Sequence, residues 1–311
     1  MKVYVNREPV VGPWGGGNKV VTQLCHRLRE GGHSVVYGLC EDIDIIFCFD
    51  PRPNLRGEWF EHFYEYKVAT GAKIVQRVGD LGTHNKPQLT EMVKESMNIS
   101  DFVIFPSKWA KERINFNKSN FAVVHNAPLE IFHKYKRKKF VGHKINIITH
   151  HWSPNPKKGY ELYHIFDKMI ASVMGHRYSF SYIGAKPQGV TFDFEPYDYT
   201  PPTGDNDFLA SKLAEADIYL TASLEEAGAN HVLEAMAAGL PIVYHKDGGS
   251  IEDYCSDYGE SFENIQDMVK AIEKVAAEYD FYKDKVLEYN DDITRVIDEY
   301  EEIINNVQSQ Y

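Results

Sequence analysis

Two glutamates, Glu226 and Glu234, lie on either side of a change from loop to helix. A β-branched run ends near Thr221, small residues follow it, and a helical pattern begins near Asn230, which we expect to cap the helix. Because the first N–H groups of a helix have no intrahelical acceptor, they favour an anion. Carboxylates bind sugar hydroxyls, and a helix N-terminus binds a diphosphate. The segment therefore predicts a site for a nucleotide-sugar, which has both kinds of group.

The spacing and surroundings of these glutamates resemble a known motif. Seven residues separate Glu226 from Glu234, which is similar to the E-x7-E motif of glycosyltransferase family 4, a family of retaining enzymes with the GT-B fold. The Gly-Leu-Pro-Ile-Val stretch at 239–243 and the glycine pair at 248–249 match as well. The resemblance implies that Glu226 binds the hydroxyls of the donor sugar and that Glu234 binds the nucleotide ribose. It also implies that the diphosphate is held by the backbone of Gly228, Ala229, Asn230 and His231. The alternative is an ordinary capped helix with surface glutamates.

A second polar cluster, His150-His151-Trp152, is followed by Lys158-Gly159. Lys158-Gly159 resembles a Lys-Gly pair of the same family, but the Arg that the family has a few residues earlier is absent. A leaving nucleoside diphosphate develops negative charge, which the Lys158 ammonium would stabilise. One of the histidines could supply the missing cation, and His151 is a candidate residue of the cleft. The histidines could instead bind zinc, but no Cys or His follows at ligand spacing, so we expect no metal site.

Two glycine features could let a nucleotide approach the backbone. Gly15, Gly16 and Gly17 precede a helix, so the N–H groups of Gly16 and Gly17 could bind an anion, although a plain tight turn fits equally well. The stretch is not G-x-G-x-x-G and no Gly-Lys-Ser/Thr follows it, which argues against a dinucleotide site and a P-loop. Gly184 ends a predicted strand, where it either admits the base of the donor or makes a turn.

The segment Gln76-Arg77-Val78-Gly79-Asp80 ends a predicted strand in the first half of the chain. It resembles the Arg-x-Asp-Gly element of some family members, with Gly and Asp exchanged. The carboxyl ends of strands in open α/β sheets face the ligand cleft, so Arg77 and Asp80 could meet donor or acceptor there. A structural Arg–Asp pair is the alternative. His125-Asn126-Ala127-Pro128 resembles the family's His-Asn-Gly-Val turn and is expected to shape the chain without direct chemistry.

Short β-branched runs alternate with helical patterns in two sets that divide near residue 140. This repetition predicts α/β domains with doubly wound parallel sheets. The basic run 134–139 marks the division, either as a linker or as a patch for an anionic acceptor or a membrane surface. With the resemblance, we expect a GT-B architecture of two Rossmann-like domains facing across a cleft. These are 1–140 on the acceptor side and 141–280 on the donor side, and a C-terminal helix over 281–311 returns to the first domain.

The composition is that of a globular protein, since 43% of the 311 residues are hydrophobic and 25% are charged. The formal net charge of −11 repels nucleic-acid phosphates and argues against a nucleic-acid partner. No apolar run approaches the ~18 residues of a membrane helix, and the N-terminus has no apolar signal core. We therefore expect a cytoplasmic protein with at most peripheral membrane contact. The four cysteines form no C-x-x-C pair and are expected to be reduced.

The expected reaction transfers a hexose from a UDP- or GDP-linked donor to a hydroxyl of a glycan or glycoconjugate. Glu226 and Lys158 are the expected catalytic residues, with no cofactor and no metal, and retention at the anomeric carbon follows from the resemblance. One alternative is a sugar-nucleotide-binding protein without turnover, which the missing Arg favours. Another is a sugar-nucleotide hydrolase or epimerase with a GT-B fold. A GT-A enzyme needs a metal-binding D-x-D, but Asp42-Ile43-Asp44 opens a buried strand and Asp205-Asn206-Asp207 could cap a helix.

Overall fold

The computed structural model describes residues 1–10, 16–136, 144–188 and 205–309. Gly15, residues 137–139 of the basic run and residues 189–204 lie outside the described residues. The chain forms two compact units. The first contains Met1–Asn126 and Ile293–Tyr311, and the second contains Ala127–Asp292.

The first unit contains, within its described residues, a parallel sheet of six strands in the order β2-β1-β3-β4-β5-β6. The strands are β1 (Lys2–Val5), β2 (Ser34–Val36), β3 (Ile45–Cys48), β4 (Lys73–Arg77), β5 (Phe102–Phe105) and β6 (Phe121–Val123). The helices are α1 (Gly16–Glu30), α2 (Phe60–Thr70), α3 (Pro87–Ile99), α4 (Lys108–Arg113) and the C-terminal helix (Ile293–Ser309). Every residue of β3 is buried, as expected for a central parallel strand that is covered on both faces.

The second unit contains a parallel sheet of five described strands in the order β11-β10-β9-β7-β8. The strands are β7 (Ile145–His151), β8 (Tyr178–Gly184), β9 (Ile218–Thr221), β10 (Ile242–His245) and β11 (Gly259–Phe262). The helices are α5 (Tyr160–Met169), α6 (Asn206–Ala214), α7 (Asn230–Ala237), α8 (Ser250–Cys255), α9 (Ile265–Ala277) and α10 (Tyr279–Leu287), with 3-10 turns at Glu130–His133 and Pro156–Lys158.

Helices cover both faces of the second sheet. On one face, Leu209 of α6 and Met236 of α7 belong to one buried apolar cluster. On the other face, Tyr163 of α5 and Ile272 of α9 belong to a second cluster. This arrangement confirms the predicted doubly wound α/β architecture. Strand β11 was not predicted, because its sequence Gly-Glu-Ser-Phe is too polar to stand out and it lies at the edge of the sheet.

The boundaries of the units differ from the expected positions at residues 140 and 280. The segment after Asn126 packs in the second unit, where Phe132 is fully buried. His133 Nε2 hydrogen-bonds to the carbonyl oxygen of Asp291 at 2.9 Å. Lys136 Nζ donates to the carbonyl oxygens of Leu287 and Tyr289 at 2.7 and 2.6 Å. These contacts join both ends of the second unit and move its limits to 127 and 292.

The described part of the basic run is bound within the second unit. Lys134 Nζ lies 3.2 Å from one carboxylate oxygen of Asp207, and the Tyr135 hydroxyl donates to the other at 2.7 Å. Lys136 caps backbone carbonyls, as described above. These three side chains therefore hold the start of the second unit against α6 and the segment after α10.

The segment 281–311 contains parts of two helices and not the single helix that we expected. Helix α10 belongs to the second unit, where buried Lys283 donates to the carbonyl oxygen of Gly239. The turn-forming residues Asn290, Asp291 and Asp292 separate it from the C-terminal helix. As predicted, the C-terminal helix belongs to the first unit, where Val296 and Tyr300 are fully buried.

No helix within the described residues is long and apolar enough to cross a membrane. All four cysteines are free thiols.

Asp44 accepts a hydrogen bond from the Lys2 N–H at 2.6 Å, and Asp205 caps α6 by accepting from the Phe208 N–H at 2.9 Å. Both D-x-D stretches thus contribute aspartates to local structure.

Candidate functional site

The carboxyl ends of the parallel strands β7, β8 and β9 place several polar side chains at one edge of the second sheet. Strand β7 ends in His150 and His151, β8 ends in Gly184, and β9 ends in Thr221. The loop that follows β9 carries Glu226 and leads into α7.

Lys158 and Glu226 form a direct ion pair between the 3-10 turn after β7 and the loop after β9. Each side chain is only 13% exposed, so the pair is partly shielded from water. The neighbouring residues Lys157 and Glu225 form a second ion pair, whose side chains are 29% and 27% exposed. The Leu224 N–H donates to the Lys157 carbonyl oxygen at 2.8 Å, which joins the loop to the turn. The two residues that we expected to be catalytic are therefore brought together.

The backbone of Glu226 is held by the residues before α8. Its N–H donates to the Gly248 carbonyl oxygen at 3.1 Å, and its carbonyl oxygen accepts from the Ser250 N–H at 2.8 Å. Gly249 has φ +72°, and a Cβ atom there would lie 2.5 Å from the carbonyl oxygen of Glu226. A glycine is therefore needed at 249 to let the two backbones meet.

Helix α7 begins at Asn230, as predicted, but Asn230 does not cap it. Ala229 occupies the N-cap position, and no side chain makes a cap hydrogen bond. The Ala229 N–H donates to Ser250 Oγ at 2.9 Å, so this amide already has an acceptor within the protein. The next N–H groups, those of Asn230 and His231, belong to the first turn of α7, where the helix itself offers no acceptor. Contact between this backbone and a diphosphate stays a prediction.

Glu234 lies in α7 with only 4% of its surface exposed. Its Oε2 atom is 2.9 Å from His150 Nε2, and His150 is 1% exposed. The Tyr219 hydroxyl lies 3.1 Å from the other ring nitrogen of His150. The sequence does not indicate this burial, because a glutamate is too polar to be expected on the inward face of a helix. Its contact with a ribose stays a prediction.

His151 and His231 are buried histidines beside the Lys158–Glu226 pair. Burial lowers the pKa of His231 to about 3, and the charge of Glu226 opposes this change. Burial, together with His231, Lys158 and His150, lowers the pKa of His151 well below its ordinary value. His231 Nε2 hydrogen-bonds to Thr221 Oγ1 at 3.0 Å, and His151 Nε2 to the Tyr163 hydroxyl at 2.7 Å. At neutral pH both rings are uncharged, so neither supplies the second cation that we considered.

Gly184 has a structural reason to be glycine. Its φ is +115°, and a Cβ atom would lie 2.0 Å from the His151 carbonyl oxygen. The N–H of the next residue, Ala185, donates to the same oxygen at 2.9 Å. The turn that we considered is therefore present, and contact with a nucleotide base stays a prediction.

The first unit contains four of the predicted residues, namely Gly16, Gly17, Arg77 and Asp80. Gly16 and Gly17 open α1, and a Cβ atom on Gly17 would lie 3.3 Å from the ring of Phe49. Asp80 accepts hydrogen bonds from Lys86 Nζ at 2.7 Å and from the Gly82 N–H at 2.9 Å. Its partners are thus local.

Arg77 is buried and binds groups from distant parts of the first unit. Its Nε donates to the Tyr300 hydroxyl at 3.1 Å, and its Nη2 donates to Asn126 Oδ1 at 3.2 Å. Its guanidinium lies 4.7 Å from the centre of the Phe49 ring. These contacts give Arg77 a structural role in holding the C-terminal helix. They also show how the His125-Asn126 turn is fixed, as its predicted shaping role requires.

Among the described residues, no group of three or more His, Cys, Asp or Glu side chains is placed to hold a metal ion. Four further polar residues contact the site and were not predicted from the sequence: Tyr219, Thr221, Tyr163 and Ser250. Only Thr221 had a detectable signal in the sequence, because it ends a predicted strand.

Known proteins share part of this sequence and its fold. Residues 164–278 match the family model of Glycosyl transferases group 1. No sequence relative is found among proteins of curated function. The fold is similar to that of sucrose-phosphate synthase from Thermosynechococcus elongatus, with a TM-score of 0.65 and 12% identity over 98% of this chain and 97% of that chain. These findings indicate a glycosyltransferase of the GT-B fold.

Two further structures share this fold. HepE from Anabaena, in complex with UDP and glucose, has a TM-score of 0.66 and 12% identity over 98% of this chain and 99% of its own. WaaG, a glycosyltransferase involved in lipopolysaccharide biosynthesis, has a TM-score of 0.62 and 13% identity over 98% and 99%. At these identities the likeness establishes the fold.

Proposed function

We propose that this protein transfers a hexose from a nucleoside-diphosphate sugar to an acceptor hydroxyl, with retention of the anomeric configuration and without a metal ion. The observation that carries the proposal is the ion pair between Lys158 and Glu226, which lies in the loop before the N-terminus of α7. The Lys158 ammonium is a cation that can bind a diphosphate, and the Glu226 carboxylate can bind sugar hydroxyls. The two groups lie together and are partly shielded from water. Retention rests on the resemblance to glycosyltransferase family 4.

The proposed reaction breaks the bond between the anomeric carbon and the diphosphate oxygen. The departing nucleoside diphosphate gains negative charge, which the Lys158 ammonium and the first N–H groups of α7 stabilise. The acceptor oxygen forms the new bond on the face that the diphosphate leaves, and its proton passes to a departing phosphate oxygen. Glu226 accepts hydrogen bonds from the sugar hydroxyls and orients the ring. Because Lys158 and the backbone dipoles supply the positive charge, the reaction needs no divalent ion.

UDP-glucose is the first donor to test, because HepE, which shares the fold, is seen in complex with UDP-glucose. GDP-linked sugars are the second choice. We propose a glycan or glycoconjugate as the acceptor. Transfer predicts that free nucleoside diphosphate accumulates only when an acceptor is present. Release without an acceptor would indicate a hydrolase, and binding without release would indicate a protein without turnover.

Glu226→Gln and Lys158→Met should each lower turnover by roughly 100-fold, because each removes a contact that stabilises the transition state. Glu225→Gln and Lys157→Met are matched controls, since they remove the neighbouring, more exposed ion pair. The controls should stay within about threefold of wild type, because this pair is the more solvent-accessible of the two. Steady-state release of nucleoside diphosphate measures all four. Equal losses at both pairs, or none at Glu226 and Lys158, would refute the site.

A further inference from the structure

A buried chain of hydrogen bonds links strands β9 and β7 to helix α7. Tyr219 lies in β9, His150 lies near the end of β7, and Glu234 lies in α7. Their relative exposures are 0%, 1% and 4%. The Tyr219 hydroxyl is 3.1 Å from His150 Nδ1, and His150 Nε2 is 2.9 Å from Glu234 Oε2. A polar chain this deep in the unit fixes its members, because each lost partner would leave a buried polar group unsatisfied.

The direction of each hydrogen bond follows from the chemistry of its partners. A carboxylate can only accept a hydrogen bond, so His150 Nε2 carries a hydrogen and donates a hydrogen bond to Glu234. Burial raises the pKa of Tyr219 well above its ordinary value, so Tyr219 keeps its hydroxyl proton. That hydroxyl accepts from the His150 backbone N–H at 3.2 Å and can donate to His150 Nδ1. Glu234 therefore fixes the tautomer of His150, Tyr219 helps to hold the His150 ring through Nδ1, and His150 holds one oxygen of Glu234.

We infer that His150 is a positioning residue that holds the Glu234 carboxylate in the orientation needed to bind the ribose hydroxyls of the donor nucleotide. This inference rests on the proposed function, and it assigns a task to a histidine near the place where the resembled family has an arginine. A glutamate side chain has three rotatable bonds, and an unsupported carboxylate would lose much of its binding energy in becoming ordered. The imidazole at a strand end provides a rigid donor for it.

The first test compares ribonucleotides with their 2′-deoxy analogues. UDP and GDP are titrated into the wild-type protein by calorimetry, and the nucleotide that binds is then compared with its 2′-deoxy form. Wild type should bind the ribonucleotide about tenfold more tightly, because a hydrogen bond to a carboxylate is lost in the analogue. In His150→Leu, this ratio should fall to within about twofold, since the carboxylate is no longer held.

Two variants separate positioning from structural support. The side-chain amide of His150→Gln can reach the place of Nε2 and should retain most of the ratio. The shorter amide of His150→Asn corresponds to Nδ1, cannot reach Glu234, and should lose the ratio. Tyr219→Phe should lower it partly, because the ring of His150 loses one of its two partners. The Gln and Asn pair also decides the matter if His150→Leu does not fold.

A purely structural role for His150 has a different signature. In that case His150→Leu and His150→Asn would lower the melting temperature and weaken both nucleotides equally, leaving the ratio at its wild-type value, and the inference would be overturned. A wild type that binds a ribonucleotide and its 2′-deoxy form equally would also overturn it, while leaving the proposed function intact. A wild type that binds neither UDP nor GDP would overturn the proposed function itself.

Discussion

His151 and His231 lie beside Lys158 and Glu226 as neutral rings, because burial lowers the pKa of both. The site thus consists of the partly shielded Lys158–Glu226 ion pair and of uncharged groups that form hydrogen bonds, among them His151 and His231. This arrangement concentrates the positive charge of the described site on the lysines and the start of α7. A departing diphosphate would meet that charge in a place with little competing water.

The neutral histidines make the stability of the second unit depend on pH. An ordinary histidine has a pKa of about 6.5, so between that value and about 3 the unfolded chain binds a proton that folded His231 does not bind. The free energy of unfolding therefore decreases as the pH falls below about 6.5. We expect His231 alone to account for about 2 kcal/mol of this decrease between pH 6.5 and pH 5.

Urea unfolding of wild type and His231→Gln at pH 7, 6 and 5 measures this effect. His231→Gln should show the smaller loss of stability on acidification. His26→Gln, on the exposed face of α1, is the control and should follow wild type. The same pH dependence in His231→Gln and wild type would contradict the neutral state of His231.

At the residue level, local pattern predicted part of the site. The spacing of Glu226 and Glu234 and the Lys158-Gly159 pair pointed to the segments that the structure brings together. The partner of Glu234 could not be predicted, because His150 is 84 positions away and only the pairing of β7 with β9 brings it near. Ser250 was missed because it follows β10, whose pairing with β9 brings it near Ala229. The predicted Asn230 cap was wrong, since α7 already includes Asn230 and therefore starts one residue earlier than a cap at 230 requires.

At the level of elements, the loop after β9 depends on the glycine before α8. Gly249→Ala should lower turnover by roughly tenfold to 100-fold, because its Cβ would push the Glu226 backbone from its position. Gly57→Ala is the matched control. Gly57 has a similar φ of +76°, but no atom lies within 4 Å of the added Cβ.

Both glycine variants introduce the same kind of backbone strain, so unfolding measurements should show comparable losses of stability from that source. Only Gly249→Ala should also lose turnover, measured as release of nucleoside diphosphate. Equal turnover in the two variants would show that Gly249 does not position Glu226.

The C-terminal helix is fixed to the first unit by Tyr300, which is fully buried, packs 5.9 Å from the ring centre of Phe47 and accepts from Arg77. Tyr300→Ala should lower the free energy of unfolding by about 3–5 kcal/mol, since it leaves a cavity and removes a partner of a buried guanidinium. Glu302→Ala, at an exposed position of the same helix, should stay within about 0.5 kcal/mol. Denaturant unfolding compares the two, and a loss below about 1 kcal/mol for Tyr300→Ala would contradict this anchoring.

Element types were predicted better than their limits. Continuous apolar runs indicated the parallel strands, because a strand covered on both faces needs apolar residues throughout. The polar edge strand β11 gave no such signal. The break between α10 and the C-terminal helix was missed because Val286 and Ile293 continue the apolar spacing across a turn.

On the scale of the whole molecule, the chain leaves the first unit after Asn126 and returns to it at Ile293. Lys158, Glu226, His231 and Glu234 all lie in the second unit, whereas Gly16 and Gly17 lie in the first. The two α/β units and the return of the last helix followed from the repeated pattern and the family resemblance. The boundaries did not, because the composition change at the basic run does not coincide with the place where packing changes.

Calorimetric titration of the whole protein with UDP-glucose and GDP-glucose, each with and without EDTA, tests the proposed donor site most directly. We predict micromolar binding of one of the two donors, unchanged by EDTA, strongly weakened in Lys158→Met and retained in Lys157→Met. Failure to bind either donor, or binding that requires a divalent metal, would contradict the assignment of Lys158 and Glu226 to a metal-independent nucleotide-sugar site.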